Sequence, residues 1–207
     1  HRYPDGLDGE AFYQQNMPDY FPEWIATVDA EKEGGTVTHV VCNDTATLLY
    51  IANQGALVNH IWLSRRDRMR HPDRMVVDLD PPHDATDVRA LRDAALLLRD
   101  TFRDLGMVPF VSTTGSAGLH VYVPLKRELD FDEVRQFGRD VVEQLVAEHP
   151  DDLTIEQRKA KRGRRIYLDV LRNSYAHTAV APYSVRARPG APVATPIAWE
   201  ELEQGPV

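Results

Sequence analysis

The segment that most restricts the fold is MVVDLDPPHD, Met75 to Asp84. Its apolar first half reads as the best buried strand in the chain. Val76, Asp78 and Asp80 fall on one face, and Val77 and Leu79 on the other. Aspartate is a poor strand residue, and two carboxylates two positions apart repel. A fold built on this strand has to cover its apolar face and give the two acids a compensating partner.

The remaining sequence supplies the cover. TVTHVVC, Thr36 to Cys42, reads as a strand from its alternation and β-branched content. NDTATLLYIANQG follows as a helix with capping residues at its start and Gly55 as its stop. ALVNHIWLS alternates Leu57, Asn59, Ile61 and Leu63 against Val58, His60 and Trp62. ATDVRALRDAALLLRDTFRDLG is the clearest helix: Val88, Leu91, Ala95, Leu98, Phe102 and Leu105 recur at helical spacing, and Gly106 ends it. MVPFVST and LHVYVPL are expected to be strands joined by the glycine-bearing turn TTGSAG. DFDEVRQFGRDVVEQLVAEH is a second amphipathic helix, with Asp130 and Glu133 placed as a capping pair. RIYLDVL puts Ile166, Leu168 and Val170 on one face and Tyr167 and Asp169 on the other. The proline-rich end is expected to run extended before a short closing helix. No repeat or low-complexity linker divides the chain. Hairpins mixed with long helices predict an α+β fold, helices packed on a mostly antiparallel sheet.

At 207 residues the chain can bury a core unaided, as one large domain or two packed lobes. No apolar run approaches the ~20 residues of a membrane-spanning helix, and the N-terminus does not read as a signal peptide. The single cysteine, Cys42, cannot form an internal disulfide. It is expected to be a small buried hydrophobe, so a reducing cytoplasm is the default. A net charge of −8 excludes a general coating of nucleic-acid affinity but leaves room for a local basic groove. QRKAKRGRR supplies one, packing Arg158, Lys159, Lys161, Arg162, Arg164 and Arg165 together; alone, it reads equally well as a solvated loop.

Asp78 and Asp80 leave one strand face about 6.5–7 Å apart at Cα, a spacing that suits hard cations sharing phosphate oxygens. An isolated D-x-D is common by chance, and two acids pointing into water is the plainer reading of that tripeptide. Asp169 changes the balance, because it interrupts an apolar strand where burial without a partner is expensive. If its strand lies beside the first, three acids share one patch and repel unless cations neutralise them. Two metal ions about 3.5–4 Å apart would then bracket a phosphoryl group. STTGSAGLH supplies the opposite polarity, with N–H groups freed by Gly115 and Gly118 and hydroxyls from Thr113, Thr114 and Ser116. It lacks the Lys-Ser/Thr ending of a Walker loop, and an ordinary hairpin is the plainer reading of the turn alone. His120, on the face of Tyr122, could contact a phosphate or serve as a structural donor. The histidines and the lone cysteine lack the spacing of a zinc site.

In order along the chain, RYPDGLDGEAFYQQN, PEWI, HPDRMVVDLDPP, TTGSAGLHVYVPL, KRGRRIYLDVLRN and TAVAPYSVRARPGAPVATPIAWEEL resemble the polymerase domain of bacterial ligase D and its stand-alone relatives. That family lies within the archaeo-eukaryotic primase superfamily. The resemblance covers nearly the whole chain and implies a two-lobed primase-type catalytic core over residues 1–207. It implies transfer of nucleotides from NTPs or dNTPs to the 3′ end of a DNA primer-template or broken end, in end joining or gap repair. Two Mn²⁺ or Mg²⁺ ions per site are implied, with Asp78, Asp80 and Asp169 as catalytic metal ligands. For the nucleotide it implies His60 near the sugar, Thr113, Thr114, Gly115, Ser116, Gly118 and His120 at the phosphates, and Arg172 and Arg186 at the triphosphate. Phe12 and Tyr13 match an aromatic pair near the templating base, and the basic run, Arg158, Lys159, Lys161 and Arg162, would meet DNA. Ligase and Ku-type end-binding proteins are implied as partners, in a bacterial cytoplasm close to the nucleoid.

The sequence also departs from the family pattern. The opening segment that carries lysines for a downstream 5′-phosphate does not precede RYPDG, Gln15 stands where lysine is frequent, and Ala117 where a basic residue is frequent. Each departure predicts a weaker phosphate grip, and none touches the three acids. A metal-dependent nuclease using the same carboxylates, or a noncatalytic DNA-binding remnant, are the alternatives at this point.

Overall fold

The structure is a computed structural model that describes residues 1–32, 34–82 and 88–205. Its elements run β1 (Thr27–Lys32), β2 (Gly35–Val40), α1 (Thr45–Asn53), β3 (His60–Trp62), β4 (Arg74–Asp80), α2 (Val88–Asp104), β5 (Phe110–Thr113) and β6 (Leu119–Pro124). They continue α3 (Phe131–Glu148), β7 (Leu153–Thr154), α4 (Lys159–Arg162), β8 (Ile166–Asp169), β9 (Thr178–Val180), β10 (Pro196–Ile197) and α5 (Trp199–Gln204). The α+β architecture expected from the pattern is the one observed. The main sheet has the order β10-β5-β6-β4-β8-β7 and is antiparallel except where β7 meets β8. The acid-bearing strand, β4, therefore lies inside the sheet with neighbours on both edges.

Alternation decides which face of β4 is covered. Met75, Val77 and Leu79 join Leu119, Val121 and Val123 of β6 and Ile166 and Leu168 of β8 in one core. Leu91, Ala95, Leu98 and Phe102 of α2 and Val134, Val142 and Leu145 of α3 close over it. Gly138 lets α3 come down tightly: a Cβ there would sit 2.9 Å from the Met75 sulfur. The start of α3 is a complete capping box, in which Asp130 accepts from the Glu133 N–H and Glu133 accepts from the Asp130 N–H. The expected start of α2 at Ala85 lies outside the described residues; of the expected stripe Leu91, Ala95, Leu98 and Phe102 are buried, while Val88 and Leu105, at its two ends, are exposed.

The opposite face of the sheet carries the acids. Val76 on that face packs with Leu63, Phe131 and Ala179, and this small cluster joins the main sheet to the β3–β9 pair. Trp62 meets His39 edge-on, tying the β1–β2 hairpin to β3, and Arg70 lies over Tyr175 while pairing with Glu31. The β3–β9 pair thus packs against one end of the acid-bearing face, and the β1–β2 hairpin joins it through Trp62.

Three expectations need correction, and one strand, β1, was not expected. The strand read over Ala56–Ser64 survives only as β3, because its partner β9 is three residues long and a strand lasts only as far as its ladder. Cys42 is exposed rather than buried, since β2 stops at Val40 and the cysteine lies past the hairpin's pairing. β1 escaped the pattern because its residues are exposed on both faces apart from Ala30 and Val28. Finally, β8 ends at Asp169 instead of running on to Leu171.

Asn173 explains where β8 stops. Its side chain takes over the ladder position beside Val76: Oδ1 accepts from the Val76 N–H at 2.8 Å, and Nδ2 donates to the Val76 carbonyl at 2.7 Å and the Val170 carbonyl at 2.9 Å. The chain can then turn away without leaving the edge of β4 unpaired. Asn173→Ala orphans buried backbone groups, so a loss of about 2 kcal/mol is expected in denaturant unfolding. An unchanged midpoint would remove this amide from the account.

Candidate active site

Register brings the acids together. Asp78 on β4 stands directly opposite Asp169 on β8 and, on its other side, opposite His120 on β6; Asp80 stands opposite Tyr167. Directly opposed residues have Cβ atoms about 4.5–5.5 Å apart, so Asp78 and Asp169 are immediate neighbours and Asp80 lies one pleat further on. The electrostatics record that proximity. Burial raises the Asp80 carboxyl above the ordinary range, the charge of Asp78 adds to the rise and that of Asp169 contributes. Burial likewise raises Asp169, the Leu171 N–H opposes the rise, and Asp78 adds to it. Burial would also raise Asp78, but His120 and then Arg172 outweigh it and hold Asp78 below the ordinary carboxylate value.

The carboxylate oxygens are turned toward different partners. Asp78 Oδ1 is 3.4 Å from His120 Nε2 and Oδ2 is 3.6 Å from Arg172 Nε. Asp80 Oδ2 is 3.9 Å from Arg162 Nη1, and Asp169 Oδ1 accepts from the Leu171 N–H at 2.8 Å. Among the described residues no group of three or more His, Cys, Asp or Glu side chains is arranged so that it could hold a metal ion. The backbone thus sets three hard oxygen donors side by side, while the carboxylates are closed onto two guanidiniums, an imidazole and an N–H. In donor chemistry the set suits Mg²⁺ or Mn²⁺: all ligand atoms are oxygens, and their mutual repulsion is only partly relieved by arginines no closer than 3.6 Å.

The glycine-bearing turn from Thr113 to Gly118 lies against these acids. Thr114, buried, holds the loop shut: its Oγ1 donates to the Gly118 carbonyl at 3.0 Å and accepts from the N–H groups of Ser116 and Gly118. Its hydroxyl is therefore committed to the turn, and Ser116 is the exposed hydroxyl. Gly115 has φ +62, and a Cβ there would lie 2.8 Å from the Ala194 nitrogen and the Arg186 Cγ. Gly118 is more tightly confined: a Cβ would lie 2.4 Å from the Leu79 carbonyl oxygen and 3.6 Å from Asp80 Oδ1. Thr113 ties the turn to the C-terminal segment by accepting from the Thr195 N–H at 3.0 Å. Arg186 reaches the same turn and donates to the Thr114 carbonyl at 3.0 Å.

His60 comes to the site through β3 and β9. The Asn59 N–H donates to Ser184 Oγ at 2.8 Å, so the segment bearing Arg186 is stitched to the strand bearing His60. Burial pushes the His60 ring down to about 4, aided by the charges of Arg186, the N-terminal amine, Arg172 and His120. Tyr13 lies 4.9 Å from the His1 ring and His1 5.4 Å from the His60 ring, so an aromatic path leads outward from the site. Phe12 and Tyr13 at its outer end are 47% and 61% exposed. Gln15 donates to the Tyr13 hydroxyl at 2.9 Å.

The basic run divides in two. Arg158, Lys159, Lys161 and Arg164 are exposed, and Arg158, Lys161 and Arg165 line an open cleft of about 610 Å³ beside Val146, Thr154 and Glu156. Arg162 does not share that surface, and its expected place on a DNA-facing groove is corrected here. It is buried, donates to the carbonyls of Glu156 and Gln157, and lies 3.8 Å over the Tyr167 ring on its way to Asp80. The four-residue helix α4 is too short for its residues to share one outward face. Tyr167, pushed up to about 12 by burial and then by the charge of Asp169, is a site residue that the sequence reading passed over. The signal was its place on the same strand face as Asp169.

Comparison with known proteins follows the same outline. The family described as "LigD, primase-polymerase domain" matches residues 1–206. The chain is 33% identical over 203 residues to the bifunctional non-homologous end joining protein LigD of Bacillus subtilis (strain 168), covering 98% of this chain and 32% of that protein. It is 32% identical over 202 residues to the multifunctional non-homologous end joining protein LigD of Pseudomonas aeruginosa, covering 98% and 24% respectively. Among solved structures, the polymerase domain from Mycobacterium tuberculosis ligase D in complex with DNA superposes with a TM-score of 0.89 at 29% identity, over 98% of this chain and 73% of that one. The chain spans about a third or less of the length of the curated relatives it matches.

Proposed function

Because the chain belongs to the LigD primase-polymerase family, we propose that it is a metal-dependent nucleotidyltransferase that adds nucleotides from NTPs or dNTPs to a DNA 3′ end during end joining or gap repair. The observation that carries this reading is the register of Asp78 against Asp169, with the Gly118 turn in contact with Asp80. A row of acids beside arginines and a hydroxyl-bearing turn suits a substrate that is both anionic and metal-bound.

Asp78, Asp80 and Asp169 would hold Mn²⁺ or Mg²⁺, whose chemistry is to lower the pKa of an attacking hydroxyl and to neutralise charge on the phosphoryl group. The protein's own residues do the positioning. Arg172, released from Asp78, is placed to meet phosphate oxygens. The turn from Thr113 to Gly118, held shut by Thr114, presents the exposed Ser116 hydroxyl to the same anion, and Arg186 anchors the turn through the Thr114 carbonyl. His60, kept neutral by burial and its cationic neighbours, offers an uncharged ring toward the sugar. Phe12 and Tyr13 supply exposed rings for base stacking. DNA, in this reading the primer-template or broken end, runs along the exposed part of the basic segment. Ligase and Ku-type proteins remain the proposed partners, in the bacterial cytoplasm near the nucleoid.

The deciding experiment is extension of a labelled primer-template with Mn²⁺ or Mg²⁺, with NTPs and dNTPs in parallel. Added nucleotides are the expected result. A primer that shortens without NTPs would identify a nuclease instead, and a primer that never changes would leave only a binding module.

Affinity for DNA is expected to fall steeply with salt, each phosphate contact contributing about 0.9 to the log–log slope on duplex. Alanine at Arg158, Lys159 and Lys161 together should flatten that slope. Arg162→Ala should leave the slope in place, since its guanidinium is spent on carbonyls and Asp80. A slope equal in wild type and triple variant would move the DNA elsewhere.

A further inference from the structure

The connection between β3 and β4 contains SRRDRMRHPDR, Ser64 to Arg74, with five arginines and two aspartates. None of these residues belongs to the site described above. The loop is internally built. The Ser64 hydroxyl donates to the Met69 carbonyl at 2.8 Å, the Asp73 N–H to the Leu63 carbonyl at 2.8 Å, and the Leu125 N–H to the Asp73 carbonyl at 2.9 Å. Its aspartates are already taken. Asp73 accepts from Arg65 at 2.7 Å and from Arg74 at 2.8 Å, and Asp67 pairs with Arg127 at 2.9 Å. Arg70 pairs with Glu31 of β1 at 2.7 Å.

This pairing leaves over charge of one sign. Arg66 and Arg68 are exposed, and so is Lys126, which lies between the two residues, Leu125 and Arg127, that join the next loop to this one. Among the described residues none of these three side chains has a hydrogen bond or an ion pair. The nearby acids are mostly committed: Asp130 and Glu133 to the α3 cap, and Asp132 to Arg135. Among the described residues of these loops, Glu128 is the one acid left without a partner. On a chain of net charge −8, three unpaired cations held together make a local positive field that attracts polyanions.

Their place in the fold gives the surface a direction. Leu63 packs with Val76 on the acid-bearing face, so the loop leaves from that side of the sheet, at the Arg74 end of β4. Asp80 closes the same strand, about 20 Å away at 3.3 Å per residue. The basic segment of α4 lies at the Asp80 end, since it leads into β8, where Tyr167 stands opposite Asp80. The acids therefore fall between two separate basic surfaces. At 3.4 Å per base pair, about six pairs of duplex cover the distance from Asp80 to the loop. We propose that Arg66, Arg68 and Lys126 form a second phosphate-binding surface, which grips the double-stranded arm of a DNA whose end lies at the acids. The placing of the DNA end rests on the polymerase reading above.

The test is fluorescence anisotropy of labelled hairpin DNA across a salt series, without metal or nucleotide. On a stem of about 20 base pairs, Arg66→Gln combined with Arg68→Gln should weaken binding roughly tenfold and lower the log–log salt slope by about 1.8, at 0.9 per phosphate. Lys126→Gln, on the neighbouring loop, should lower it by about 0.9. Unfolding midpoints should match wild type, because no contact is lost. On a stem of about four base pairs, too short to reach the loop, the variants and wild type should bind alike. Unchanged slopes on the long stem would overturn the proposal. So would an equal loss on both stems, which would place these cations away from the arm. A chain that binds as expected yet extends no primer would defeat the polymerase reading and leave this surface standing.

Discussion

Asp78→Asn is expected to reduce nucleotide addition by more than about 10²-fold, beyond the range seen when only an outer partner of a metal ligand is removed. Asparagine keeps the shape of the side chain, so the β4–β6 and β4–β8 ladders persist. What disappears is the charge that His120 and Arg172 share and that a cation would require. DNA affinity should survive, because the exposed lysines and arginines lie on α4 and the segments beside it. Asp80→Asn provides an internal contrast. Activity should fall as well, but the metal-free protein should gain stability, since burial and then the charges of Asp78 and Asp169 disfavour the ionised form. The sign follows from the raised carboxyl: its cost is present once pH exceeds the folded-state value and fades as pH falls below it. In the acid range the variant's advantage should therefore vanish. Mn²⁺ should raise the unfolding temperature of wild type more than that of either variant. Near-normal extension by Asp78→Asn would end the metal-centred reading.

Gly118→Ala should be the most damaging small substitution in the chain. A methyl group there would stand 2.4 Å from the Leu79 carbonyl oxygen, well inside contact distance, and that oxygen belongs to the central strand. No flexible side chain can yield. Either β6 moves away from β4 at the Leu79–Leu119 pair, or the turn opens and breaks its bonds to Thr114. We expect a loss of about 3 kcal/mol, at the upper end of the usual cost of overpacking. Extension should fall even in the fraction that remains folded, because Asp80 and the turn beside it are displaced together. Ala117→Ser, next door and exposed, serves as the control and should stay within about 0.5 kcal/mol of wild type. Equal denaturation midpoints for Gly118→Ala and wild type would show that the turn does not press on β4 as described.

The chain illustrates how unevenly a site is written into its sequence. The alternation of Val76, Asp78 and Asp80 against Val77 and Leu79, the recurrence of Leu91, Ala95, Leu98 and Phe102, and the Asp130–Glu133 cap were all legible. Each depends on residues within a few positions of one another, where the periods of strand and helix and the reach of a cap are fixed by local geometry. The likeness of six ordered blocks to a known family added which residues to watch. It could not say where an individual side chain would turn.

Tertiary structure alone decided the rest. That Asp169 stands opposite Asp78, rather than one residue to either side, follows from how β8 docks on β4, and a slip of one residue would send it into the core. Arg162 looked like one more cation in a basic run, yet Tyr167 and two carbonyls draw it inward beside Asp80. Cys42 looked buried and is exposed, because the hairpin pairing ends before it. Asn173 carried no periodic signal at all; its role exists only once β4 lies beside it. Local order comes from neighbours along the chain. The site comes from neighbours across it, chosen by the packing of α2 and α3 on one face of a sheet whose other face was left to the acids.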